Sequence, residues 1–146
     1  MNNNAMIKGI AYYHPERKVD NEYFIEYYKK QGKDINSLLK ATGRKSRYIS
    51  DDETENMLTM GFHAASEVLE KTHVKASQLG LIVFSSGTPE YIAPTNAIKL
   101  HAMIQAAQKC GVYDLNANCA GMLVALEQVS RVMRNNQGLK YALIVG

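Results

Sequence analysis

Short, nearly continuous apolar runs alternate along this chain with longer stretches in which apolar residues recur every third or fourth position. Leu79–Ser85 (LGLIVFS) and Tyr141–Val145 (YALIV) carry the pattern of strands covered on both faces, as parallel sheets require. Residues 112–117 (VYDLNA) predict a shorter strand. Residues 6–13 (MIKGIAYY) predict the first strand, closed by His14-Pro15, where proline restricts its predecessor and removes a backbone donor.

Helical periods fill the intervals. Asp20 is placed to cap a helix running to Gln31, with Tyr23, Phe24, Tyr27 and Tyr28 on one stripe and Gly32 as its stop. A second short helix over residues 35–42 ends at Gly43. Thr54 opens the strongest amphipathic pattern, in which Met57, Met60, Gly61, Ala64, Ala65, Val68 and Leu69 recur at three and four residues. Residues 86–94 (SGTPEYIAP) read as a loop, and Thr95 leads into a helix to about Ala107. From Ala120 a last helix carries Met122, Leu123, Leu126, Val129, Val132 and Met133 until Asn135-Asn136-Gln137-Gly138 ends it.

This order of elements predicts an α/β fold, a mostly parallel sheet flanked by helices with right-handed crossovers. Residues 6–146 form one domain in this reading, and the polar residues 1–5 a disordered tail or a cloning remnant. The final strand is apolar to its end, at the sheet edge where α/β proteins build their sites. A covering loop and helix would be expected after it, so the chain reads as the amino-terminal half of a longer protein.

Composition narrows the classes. With 146 residues, 46% hydrophobic and 21% charged, there is material for one core. The net charge of +3 is uneven: residues 1–50 hold ten Lys/Arg against five Asp/Glu. A solvated basic face accounts for this, and without interleaved recognition motifs it does not suggest a nucleic-acid partner. No run reaches membrane-spanning length and the first residues lack a secretory pattern, so a cytoplasmic location without membrane contact is expected. The two cysteines, Cys110 and Cys119, form no CxxC pair and have no His/Cys cluster, which argues against a metal site or a disulfide framework.

Candidate chemistry centres on Cys119. It stands between a strand end and a helix start, where unpaired N–H groups and the helix dipole favour an anion. An ordinary thiol, with a pKa of ~8.5, is only about 3% thiolate at pH 7. A helix terminus contributes roughly 0.3–1 kcal/mol and occasionally about 2, so efficient acyl transfer calls for a further base or cation. Cys110 reads as a small buried hydrophobe. His14, His63, His73 and His101 fall in or beside predicted elements as packing or surface residues.

An ordered series of segments then becomes informative: GIAYYHPERKVDN near the start, ATGRKSRYI at 41–49, DDET at 51–54, LIVFSSGTPEYIAPTNA at 81–97, DLNANCAGMLVAL at 114–126 and YALIVG at the end. In this series the chain resembles the β-ketoacyl-acyl carrier protein synthase III family of thiolase-like condensing enzymes. The family's cysteine turn, Asp-hydrophobic-x-x-x-Cys-x-Gly, is matched by Asp114, Leu115, Cys119 and Gly121.

The resemblance implies an acyltransferase in fatty-acid or related biosynthesis. Cys119 would be the catalytic nucleophile, taking an acyl group from acyl-CoA and passing it to the carbanion left by decarboxylation of malonyl-acyl carrier protein. The Cys119 N–H would be one oxyanion donor. The catalytic His and Asn and the second donor would come from the other half, so the 146 residues alone would be inactive in condensation. No bound cofactor is implied; acyl-CoA and acyl carrier protein are the implied partners. A homodimer is implied too, partly through the edge strand at 112–117.

Departures qualify the substrate. Ser37 and Ala41 stand where acetyl-CoA-priming relatives place Trp and Arg, although Arg44, Lys45 and Arg47 retain positive charge nearby. Ala93 replaces a frequent bulky aromatic of the acyl pocket, and Asn118 stands where a small residue is usual. The CoA-contacting residues are thus unassigned. Two other readings are another thiolase-superfamily enzyme, such as a hydroxymethylglutaryl-CoA synthase-like or specialised-metabolite acyltransferase, and a non-enzymatic dimerisation or acyl-binding half-fold.

Overall fold

The computed structural model describes residues 5–50 and 54–146, and two units form in it: His14–Asn56, and Met57–Gly146 together with the segment before His14. The expected tail lies outside the described residues except for Ala5, as do the first three residues of the DDET motif.

In the smaller unit, strand β1 (Lys18–Asp20) pairs antiparallel with β2 (Ser46–Tyr48). Between them lie helices α1 (Asn21–Lys29) and α2 (Asn36–Thr42). Asp20 caps α1 as its sequence position predicts, its side chain accepting the Tyr23 N–H at 3.3 Å. Gly32 and Gly43 stop the two helices with φ of +71° and +63°, a region glycine enters without a Cβ clash. Arg47 stacks over Phe24 at 4.2 Å and His14 on Tyr48 at 3.8 Å, so aromatic contacts take the place of a large apolar core. The three-residue strands were not foreseen, because they are too short for a period of two to show.

The larger unit is a three-layer arrangement. Its elements are α3 (Met57–Thr72), β3 (Leu79–Ser85), α4 (Asn96–Met103), β4 (Gly111–Leu115), α5 (Gly121–Asn135) and β5 (Tyr141–Val145). The sheet is parallel, in the order β4-β3-β5. Strand β3 is central and buried almost throughout, which is why its sequence is apolar on both faces.

Alternation along β3 sorts its side chains to two cores. Ile82 and Phe84 join Leu58, Ala65 and Leu100 on the side of α3 and α4. Leu81 and Val83 join Ala125 and Val129 on the side of α5. Full burial of a side chain the size of Leu, Ile or Phe contributes roughly 1.5–3 kcal/mol, so the central strand anchors both layers.

The segment expected as the first strand is corrected by the structure. Residues 5–13 form no ladder with any described strand. Strand propensity was present, but a ladder also needs a neighbouring strand, and among the described residues none pairs with this segment. Thr54 is likewise not the helix start, since α3 begins at Met57.

Candidate active site

Cys119 is exposed and lies in a one-turn 3-10 helix, Asn118–Ala120, between the end of β4 and the start of α5. Two features hold that turn. Asn118 adopts φ +48° and its N–H donates to Asn116 Oδ1 at 3.2 Å. The Asn116 side chain reaches the Gly87 carbonyl at 3.5 Å, tying the turn to the loop after β3. Asn is among the residues that enter the left-handed region at least cost, so Asn118 suits the turn despite being larger than the expected residue.

Gly121 sets how close α5 comes to the sheet. A Cβ there would collide with the Ser85 hydroxyl at the end of β3, and Gly121 itself is buried. At Gly146 a Cβ would lie 2.9 Å from the Ser85 carbonyl oxygen. The ends of β3 and β5 and the start of α5 thus converge beside the cysteine turn, at the carboxyl edge of the parallel strands.

Asp114, two residues before Asn116, does something the motif did not reveal. Its carboxylate accepts the Asn96 N–H at 2.9 Å and the Ala97 N–H at 2.7 Å, at the start of α4. The first turn of α4 contains no acidic residue, and its cap, Thr95, accepts the Ile98 N–H at 3.4 Å. The negative charge that the helix dipole favours is therefore supplied across space from β4. The lack of an acid near Thr95 was the available sequence signal. The loop before α4 includes exposed Ala93 and a cis Ala93–Pro94 peptide bond.

His14, His63 and His73 are exposed and His101 is partly buried. His63 stacks on Tyr13 with centroids 4.8 Å apart, and His101 Nε2 lies 3.0 Å from the Ala107 carbonyl oxygen. His14 Nδ1 lies 2.8 Å from the Pro15 carbonyl oxygen. His73 follows α3 with φ +53°. Cys110 is buried, and desolvation pushes its thiol up.

In the smaller unit Ser37 and Ala41 are exposed on α2, as are Arg44 and Lys45 beyond it, whereas Arg47 is partly buried against Phe24. Among the described residues no group of three His, Cys, Asp or Glu side chains could hold a metal ion. No helix among them is long and apolar enough to cross a membrane. A cavity of about 580 Å³ lined by residues 5–13, α3, α5 and β5 does not include Cys119.

No protein-family model matches the chain. It is 33% identical over 143 residues to a β-ketoacyl-[acyl-carrier-protein] synthase III of Clostridium novyi, covering 98% of the chain and 42% of that protein. It is 36% identical over 110 residues to the enzyme of the same name from Serratia proteamaculans, covering 75% of the chain and 33% of that protein. Among solved structures, a variant of Xanthomonas campestris OleA with cerulenin aligns at TM-score 0.85 and 19% identity, over 97% of the chain and 43% of its own. The 3-oxoacyl-(acyl carrier protein) synthase III of Xanthomonas oryzae aligns at 0.83 and 19%, over 97% and 42%. The chain thus spans less than half the length of the proteins it matches. The thiolase-like α/β fold, the shared sequence and the ordered motifs together establish that the chain belongs to the β-ketoacyl-acyl carrier protein synthase III family of condensing enzymes.

Proposed function

We propose that Cys119 is the acyl-accepting nucleophile of a ketoacyl synthase III-type acyltransferase acting in fatty-acid or related biosynthesis. The observation that carries this is the placement of an exposed cysteine on the turn between β4 and α5, where Gly121 lets the helix start close against Ser85.

The chemistry has two steps. The Cys119 thiolate attacks the carbonyl of an acyl-CoA; a bond forms between Sγ and the acyl carbon, the bond to the CoA sulfur breaks, and CoA leaves as a thiolate that takes up a proton. The malonyl group of malonyl-acyl carrier protein then loses CO2, and the resulting carbanion attacks the Cys119 thioester. A carbon–carbon bond forms and the cysteine thiolate departs. The first step develops negative charge on the carbonyl oxygen, which the Cys119 N–H at the helix start would stabilise.

His14, His63 and His101 make contacts to Pro15, Tyr13 and Ala107, which supports the reading that the base and the decarboxylation partners come from elsewhere in the full-length enzyme. In this reading residues 6–146 are one amino-terminal domain of a cytoplasmic homodimer, with the outer edge of β4 in the dimer contact. The 146 residues alone then accept acyl groups slowly and do not condense them.

Intact-mass measurement after incubation with a panel of acyl-CoA thioesters tests the nucleophile. The expected result is one acyl adduct, lost in Cys119→Ser and retained in Cys110→Ser; an adduct that survives Cys119→Ser overturns the assignment. A second reading is another thiolase-like condensing enzyme, whose fold would be the same. Addition of malonyl-acyl carrier protein to the acylated full-length enzyme separates the two, since the first reading requires CO2 release and a ketoacyl-carrier product.

A further inference from the structure

One side chain just beyond β4 shapes the turn that carries Cys119. Asn116 follows Leu115, the last residue of the strand, and its Oδ1 accepts the Asn118 N–H at 3.2 Å, a local turn in which an Asn side chain stands in for backbone. Asn118 holds φ +48°, a conformation that strains any residue with a Cβ and persists only where its surroundings fix it. On the other side of the cysteine, the Ala120 N–H donates to the Ala117 carbonyl oxygen at 3.1 Å. The N–H groups before and after Cys119 are thus both engaged. The planar peptide between them carries the Cys119 N–H, and these two bonds set its direction.

The turn is also tied to the loop after β3. The Ser86 N–H donates to the Leu115 carbonyl oxygen at 3.0 Å, and Asn116 Nδ2 reaches the Gly87 carbonyl oxygen at 3.5 Å, the weaker bond of the two. A Cβ built on Gly87 would stand 3.5 Å from Asn118 Oδ1, an ordinary contact, so loop and turn pass side by side. Asn116 is exposed, and removing its amide takes away these hydrogen bonds without opening a cavity in the core.

We propose that Asn116 is a positioning residue for acyl transfer: by holding Asn118 in the left-handed conformation, it aims the Cys119 N–H at the carbonyl oxygen of the incoming thioester. This rests on the reading of Cys119 as the acyl-accepting nucleophile, and adds to it a residue that acts through the backbone and not on the sulfur. The carbonyl oxygen gains charge only as the bond from Sγ to the acyl carbon forms. A misaimed N–H therefore slows acylation without changing whether the thiol can be reached.

The test compares two reactions of Cys119 in the full-length enzyme, each followed by intact mass. Acylation by an acyl-CoA builds charge on a carbonyl oxygen; alkylation by iodoacetamide forms a bond from Sγ to carbon and expels iodide with no such charge. Asn116→Ala is expected to lower the acylation rate by about tenfold or more relative to alkylation. Asn116→Ser, whose hydroxyl can accept the same N–H, should return the ratio to within about threefold of the native value. Asn136→Ala removes a similar bond, from the Gly138 N–H at 3.1 Å beyond the other end of α5, and should leave the ratio unchanged. Asn118→Ala puts a poorer left-handed residue at the donor end of the Asn116 bond; the same fall is expected, and it carries the test where Asn116→Ala does not fold. An unchanged ratio in Asn116→Ala or Asn118→Ala overturns the proposal, as does a serine variant no faster than the alanine one. A native enzyme that is alkylated at Cys119 but gains no acyl group there overturns the reading of the nucleophile, and this inference with it.

Discussion

The carboxylate of Asp114 on β4 accepts the backbone N–H of Ala97 on α4 at 2.7 Å, and its second oxygen takes the N–H of Asn96 at 2.9 Å. One side chain, five residues before Cys119, thus caps a neighbouring helix and fixes the strand that leads into the cysteine turn.

Asp114→Ala is expected to lower unfolding free energy by about 1–3 kcal/mol, in the range for helix caps and for hydrogen bonds to a charged group. Urea denaturation monitored by circular dichroism measures it. A change within experimental error would show that the two N–H groups find other partners.

Gly121→Ala places a methyl group on the Ser85 hydroxyl. Overpacking of this kind costs roughly 1–3 kcal/mol, reduced by the better helix propensity of alanine. Ser85→Ala removes the colliding oxygen and leaves the Ser85 Cβ 3.5 Å from the new methyl, an ordinary contact. The double variant should therefore recover most of the loss, with a coupling energy of about 1 kcal/mol or more in a double-mutant cycle. Additive effects of the two substitutions would refute the close approach.

One thiol should react quickly with a disulfide reagent at pH 8 and the other only on unfolding, because Cys119 is exposed and Cys110 buried. Burial raises the Cys110 thiol, so the folded protein holds that proton more tightly than the unfolded chain. The associated stability is complete below the ordinary thiol range and declines as pH rises through it. Cys110→Ala should flatten that alkaline decline in urea midpoints measured between pH 7 and 10.

Leu100→Ala should destabilise the larger unit by about 2–5 kcal/mol, since Leu100 is fully buried between α4 and β3 in the larger of the two cores. Leu123→Ala on the exposed face of α5, where the side chain is 71% exposed, should cost under about 0.5 kcal/mol. Thermal melts of the pair compare the two directly.

What was legible in the sequence was everything set by nearest neighbours and by period. Strands β3 and β5 occupy the spans their apolar runs mark, because a central parallel strand must be apolar on both faces. Asp20 and Thr95 cap helices, and Gly43 ends one, because these are interactions within a turn. The position of Cys119 between strand and helix followed from the same local signals, and the motif series around it pointed to the family.

Tertiary structure decided what depends on partners far along the chain. Residues 6–13 have the composition of a strand, but ladder formation requires a neighbouring backbone, and no described strand pairs with them. Asp114 reads as one more motif position until folding brings β4 beside α4 and turns its carboxylate into that helix's cap. Gly121 reads as a spacing element until Ser85 of β3 is found where its side chain would stand. Periodicity records which face of an element is covered; only packing through space determines which element covers it.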